Sequence, residues 1–427
     1  MEQTVLGQST SQNRVTNLSF SKREKEILRK LAGEAGELAA RPVEAEKRIL
    51  WTRHNDLERV RPLIFCDPEN GWNEIIPGNI LRCKNDLARN WEMTLRKEIF
   101  WATKMGDDRV TEPYFNIPYS YSETDWGMHH VQIGGDNLGA YTWEAPLKDY
   151  DRDLPLLKFP EITVDYKMTD EVPQLADTIL GDLLTVRVKG MWWWTLGLTW
   201  PLINLRGLEN YMLDFYLHPR ELHRLMEILR DGHLAKLRFL EANNLLPDNT
   251  DMYVGSGGFG YTTRLPQSDF KGRIRLKDIW GFCESQETVS VSPELFAEFV
   301  LPYQIPILEL FGLNCYGCCE GLDLRWDYIK NIPDLRRVSV SPWANEAKMA
   351  EQLGSNYIFS RKLHPAKLAV YQMDEESVRM ELQKALEVAT ANNCVIELLM
   401  KDNNTLGHNP LNVINWCRIA REEIDKI

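Results

Sequence analysis

The chain has 427 residues, 44% hydrophobic and 26% charged, a globular composition long enough for one large or two medium domains. A core of that size needs no disulfide staple. A net charge of -12 argues against nucleic acid as a ligand, because phosphate binding needs a basic surface.

Residues 1–13 are polar and lack the basic-then-apolar build of a signal peptide. No apolar run approaches the ~18 residues of a membrane span. A cytoplasmic protein with no membrane contact is expected. Residues 21–40 read as a helix: Ser21 and Glu24 form a capping box, and Ile27, Leu28, Leu31, Ala35 and Leu38 share a face. Its run KREKEILRK alternates basic, acidic and apolar residues, which marks a solvated helix face. Arg41-Pro42 breaks it, and a second helix is expected over 43–59. Residues 1–60 are therefore read as an N-terminal helical extension. Next come a short apolar run (61–68), a helix (91–106) and an extended stretch (109–119).

From Leu183 the pattern becomes regular. LLTVRVKG predicts a strand, residues 205–244 two helices broken near His218-Pro219, and DMYVGSG a strand ending in glycines. Ser292 with Pro293 opens a helix as N-cap and first helical residue. LNCYGCCE, RRVSVSP, NYIFSRK and CVIELLMKD then alternate as strands with helical segments to the C-terminus. Strands and helices alternating at this spacing mean βαβ units and a parallel sheet, with room for a closed (β/α)8 TIM barrel over 61–427. The glycine-rich turn 255–260 opens no helix, so it reads as a flexible βα loop and not as a dinucleotide site.

Active groups of such a barrel lie at the C-terminal ends of its strands. Those ends carry Tyr253, Glu284, Gln286, Cys315 to Glu320, Arg361 to His364, Lys401-Asp402 and His408. Of eight cysteines only Cys315, Cys318 and Cys319 cluster. One of them with Glu320 and His364 would give the roughly three protein ligands of a catalytic zinc. Alternatively, Cys315 is core and Glu320 pairs with Arg325 or Lys362. Cys315-x-x-Cys318 ends a strand and opens no helix, which disfavours disulfide exchange. Trp192, Trp193 and Trp194 cannot all face one core, so at least one should point into the barrel mouth and stack on a substrate. His129 and His130 fall in a loop, where one could hydrogen-bond a ligand.

Residues 199–229, TWPLINLRGLENYMLDFYLHPRELHRLMEIL, resemble the uroporphyrinogen decarboxylase superfamily, in which an aromatic segment leads into a Leu-Arg-Gly-x-Glu helix. SVSPELFAEFVLPYQIPILELFG resembles its Leu-Ser-Pro-x-x-Phe segment, and LNCYGCCEGL stands where members carry a His-x-Cys-Gly strand end. The resemblance covers about residues 183–427 and implies the barrel fold. It also implies one of two activities, cofactor-free decarboxylation or zinc-dependent methyl transfer involving a corrinoid protein. The Arg-Gln-Ala-Gly-Arg segment of the decarboxylases is missing. Cys318 matches a metal-ligand position, Tyr316 replaces the usual histidine, and His364 lies near the later cysteine. The form Cys-Cys-Glu resembles a subgroup thought to demethylate methoxylated aromatics. By that resemblance Cys318, Glu320 and His364 would hold zinc. Trp192 to Trp194, Tyr253, Phe259 and Tyr261, with His129 and Gln286, would hold the donor. Glu284 or Asp402 would deliver a proton. Cobalamin would come on a corrinoid-binding partner, and a homodimer is the assembly to test. A decarboxylase and a non-catalytic ligand- or corrinoid-binding barrel are the alternatives.

Overall fold

A computed structural model describes residues 17–135 and 141–427. The helix Lys22–Ala39 begins as its sequence dictates: the Ser21 side chain accepts from the Glu24 N–H, and Glu24 accepts from the Ser21 N–H. Its apolar face packs with helices Asp86–Phe100 and Tyr166–Leu180 around Leu28, Leu31, Trp91, Phe115 and Ile179. This second core reaches well past residue 60. The next helix, Pro42–Asn55, instead enters the main body, where Trp51 is fully buried and donates to the Asp108 carbonyl at 2.8 Å.

Six parallel strands form the central sheet, in the order Leu63–Cys66, Val395–Met400, Ile358–Lys362, Leu335–Val340, Leu313–Tyr316 and Trp280–Cys283. Nearly every strand residue is buried, because helices cover one face and a second layer of side chains fills the other. The fold is thus α/β with parallel βαβ units, as expected. An eight-stranded ladder is not present among the described residues. Tyr114–Ile117 and Thr185–Val188 pair with each other in a separate parallel ladder that packs into the second core. Irregular chain caps both edges of the sheet: Asp108 bonds Ile64 on one side, and the Leu196 N–H donates to the Phe282 carbonyl on the other.

Three sequence expectations change. Residues 251–257 form no strand, only an isolated bridge between Tyr253 and Phe259. The glycine turn that follows is packed against the concave face of the sheet. A Cβ at Gly257 would lie 2.2 Å from Arg337 Cδ, and one at Gly258 2.3 Å from the Trp51 ring. Glycine is required there by close approach and not by flexibility. The helix expected from Ser292 is interrupted: Pro293–Phe299 and Leu301–Leu308 are separated at Val300, next to Pro302. No helix of the described residues is long and apolar enough to cross a membrane.

Candidate functional site

Along Trp280–Cys283 and Leu313–Tyr316 side chains alternate between two cores. Cys283 and Tyr316 join the outer helix layer, while Trp280, Phe282 and Cys315 face inward with Cys318. The residues just past the strands therefore meet over the concave face. There Cys318 Sγ lies 3.1 Å from Lys362 Nζ, 3.4 Å from the Ser256 hydroxyl and 3.6 Å from Cys319 Sγ. Lys362 Nζ lies 3.5 Å from Asp402 Oδ2, and Cys319 Sγ lies 3.7 Å from the same oxygen. The hydrogen bond from Cys319, helped by the Lys362 ammonium and opposed by burial, brings the Cys318 thiol down to about 7. Cys319, as the donor of that bond, is pushed up. Burial alone would lower Lys362, but Asp402 and the two thiols hold it well above the usual lysine value. All eight cysteines are free thiols. Cys315 is pushed up to about 12 by burial, so it is an inert core thiol.

The two carboxyl groups expected to move a proton have opposite environments. Glu284 is fully buried. Its Oε2 accepts from the Gln286 N–H at 2.9 Å, and its Oε1 has no partner. Burial, then Glu287, Glu320 and Cys318, push it well above the ordinary carboxylate range, so it is held as the acid. Asp402 is drawn below its ordinary value by Lys362 and is a carboxylate. Only Glu284 therefore carries a proton to give at neutral pH. Gly197 crosses against it; a Cβ there would meet Glu284 Oε1 at 2.5 Å.

The three consecutive tryptophans divide their rings. Trp192 is buried in the outer core with its N–H on the Leu245 carbonyl, Trp193 packs near Phe311, and Trp194 packs edge-on against Phe282 in the inner cluster. All three border one cavity with Tyr253, Gly255 and Phe282. Phe259 and Tyr261 do not reach it. Phe259 packs on Trp51 and Phe65, and the Tyr261 hydroxyl donates to Glu112 at 2.6 Å. His129 is exposed and paired with Asp125 in its own loop. Gln286 serves the acidic cluster through its backbone N–H to Glu284.

The donors expected to hold zinc do not fit that ion. No group of three histidine, cysteine, aspartate or glutamate side chains converges for a metal among the described residues. Both Glu320 oxygens are taken by backbone N–H groups, of Ser285 at 2.8 Å and Cys318 at 2.9 Å. His364 caps the short helix Pro365–Lys367 by accepting from the Ala366 N–H, and its ring lies against Trp343. An ammonium sits beside Cys318, the role a metal would have filled. Glu320 forms an ion pair with neither Arg325 nor Lys362; Arg325 instead bonds Thr288 and the Val291 carbonyl. The partnership of Lys362 with Cys318 was missed in the sequence. Its only signal was two basic residues, Arg361 and Lys362, ending a strand whose other residues are buried.

No family model matches the chain, and no curated protein sequence matches it. Among solved structures it is similar to a methyltransferase from Methanosarcina mazei, at 12% identity and a TM-score of 0.49, over 88% of this chain and 97% of that one.

Proposed function

We propose that the chain is a methyltransferase that moves a methyl group from a small methoxylated aromatic donor to the cobalt of a corrinoid carried by a separate binding protein. One observation carries the reading: Glu284 is a buried acid that keeps its proton at neutral pH, at a strand end two residues past Phe282, whose ring meets Trp194. A methyl ether reacts poorly because alkoxide and phenolate are poor leaving groups, and a positioned acid removes that obstacle. Trp194 and Tyr253 hold the ring. The methyl carbon–oxygen bond breaks, the oxygen keeps the electron pair, and Glu284 gives that oxygen its proton and ends as a carboxylate. Reduced cobalt, brought by the partner, supplies the electron pair that takes the methyl group. Glu320, locked by two backbone N–H groups, fixes the 318–320 loop against Ser285, next to Glu284.

The test is direct. Purified protein, a methoxylated arene and a reduced corrinoid protein should give the demethylated phenol, seen by mass spectrometry, together with the colour change of methylated cobalt. Glu284→Gln should slow this by about 10²–10⁴-fold. Turnover unaffected by that substitution, or no demethylation of any methoxyarene, overturns the reading.

A further inference from the structure

Neither Cys318 nor Cys319 has a part in the methyl transfer. The two are adjacent in sequence, yet their sulfurs face each other at 3.6 Å. Each sulfur has its own ionic partner. The Lys362 ammonium stands 3.1 Å from Cys318 Sγ and favours a thiolate there. Asp402 Oδ2 stands 3.7 Å from Cys319 Sγ, placed to take its proton. Lys362 and Asp402 in turn hold each other at 3.5 Å. The Cys318 backbone is fixed on both sides: its N–H donates to Glu320 at 2.9 Å, and its carbonyl accepts from the Ser339 hydroxyl at 2.8 Å. Cys318 is 2% exposed, but Cys319 is only partly buried and the Asp402 side chain is 42% exposed, so the pair borders solvent on that side. The other six cysteines are buried.

We infer that Cys318 and Cys319 are a dithiol switch that hydrogen peroxide closes to a disulfide, with Cys318 as the attacking sulfur, Cys319 as the resolving one, and Lys362 and Asp402 as their proton partners. This holds whether or not the chain transfers methyl groups. The Cys318 thiolate attacks one peroxide oxygen, the O–O bond breaks, and the leaving hydroxide takes a proton from Lys362, which regains one from solvent. Cys318 is then a sulfenic acid. Cys319 passes its proton to Asp402 and attacks the Cys318 sulfur. The S–O bond breaks, and the second hydroxide takes that proton from Asp402 and leaves as water. The sum is one disulfide and two waters for one peroxide, one thiolate, one thiol and one solvent proton, with two electrons passing from sulfur to the peroxide oxygens. A trans peptide sets adjacent Cα atoms about 3.8 Å apart, closer than a relaxed disulfide allows. The closed ring is therefore strained, and a small dithiol reopens it. Strain and the fixed Cys318 backbone make the pair a reversible device and not a structural bond.

The test needs no methyl donor or acceptor. Reduced full-length protein is treated with an equal amount of hydrogen peroxide, unfolded in N-ethylmaleimide and digested for mass spectrometry. The peptide carrying Cys318 and Cys319 should lose two hydrogens and escape the maleimide, at least about tenfold faster than any other cysteine is modified. Dithiothreitol should restore both thiols. Cys319→Ser should stop at a Cys318 sulfenic acid that dimedone captures, and Lys362→Met should slow the loss of thiols at least about tenfold. The unaltered protein can overturn the inference without any variant having to fold: both thiols intact after other cysteines have reacted, or a disulfide joining Cys318 to Cys315, would do so. Equal rates with and without Lys362 would also overturn it. So would a Cys318 sulfinic acid that builds up as fast in the unaltered protein as in Cys319→Ser, because Cys319 would then not be resolving the sulfenic acid.

Discussion

Glu284 and Asp402 are both acidic residues at strand ends, and their surroundings set them on opposite sides of neutrality. The folded Glu284 keeps a proton that the unfolded chain, near the ordinary value of 4.5, gives up. Stability from this residue therefore falls as pH rises above that value. Glu284→Gln should be the more stable protein at about pH 8, by on the order of 1 kcal/mol, and the gain should shrink towards pH 4.5. Urea denaturation at both pH values checks it; a variant less stable at the higher pH would contradict the buried-acid assignment. For Cys318, the ultraviolet absorbance of the thiolate should titrate near 7, an absorbance missing from Cys318→Ser. Lys362→Met should move that midpoint up towards the ordinary 9, because the stabilising cation is gone. Candidate positions were readable before the fold was known. Strand ends picked out Glu284, Cys318, Glu320, Tyr253 and Asp402; in the structure Cys319 reaches both Cys318 and Asp402, Glu320 accepts from the Cys318 N–H, and Tyr253 lies under Lys401. What could not be read was partnership. A histidine that serves a helix cap, such as His364, and a lysine that faces a thiol, such as Lys362, look alike in sequence until the chain is folded.

At the scale of elements, legibility follows the range of the interactions that fix them. Helix starts set by four-residue signals, Ser21 with Glu24 and Ser292 with Pro293, lie where the sequence puts them. So do the strands from Leu313 onward, each framed by its own helices. Residues 251–260 mislead because their shape is imposed from outside: Gly257 and Gly258 are pressed against Arg337 and Trp51, far away in sequence. Helix Pro42–Asn55 shows the same lesson with a number attached. Through Trp51 and His54 it plugs the concave face of the sheet, so Trp51→Ala should cost about 3–5 kcal/mol in urea unfolding. A change on the outer face of Lys22–Ala39, such as Lys25→Ala, should stay within about 0.5 kcal/mol. Similar losses from both would mean that Pro42–Asn55 is a peripheral arm.

For the whole molecule, one fully buried charge is Glu397, which accepts from Ser360 at 2.5 Å and from the Gly258 N–H and meets Arg337 and His54. Burial opposes its ionisation, but Arg337 above all holds it at about 2. The sign is opposite to that of Glu284. This stability is present above the unfolded value of 4.5 and is lost as pH falls through the folded value of about 2. Glu397→Gln should therefore destabilise the protein most at neutral pH, by about 3–5 kcal/mol, with a gap that closes under acid. A gap constant between neutral pH and pH 3 would show that the carboxylate is not what Arg337 needs. The same glutamate stands opposite Leu63, because among the described residues the first strand of the sheet pairs only with the last. During synthesis that first strand has no ladder partner until more than 300 further residues have emerged, a wait of roughly 20–70 s at ordinary translation rates. Its unbroken apolar run Leu-Ile-Phe-Cys waits without its ladder partner through that interval, so the nascent chain is expected to depend on chaperones. Yield in cells should respond to chaperone supply more than to any change at the site itself.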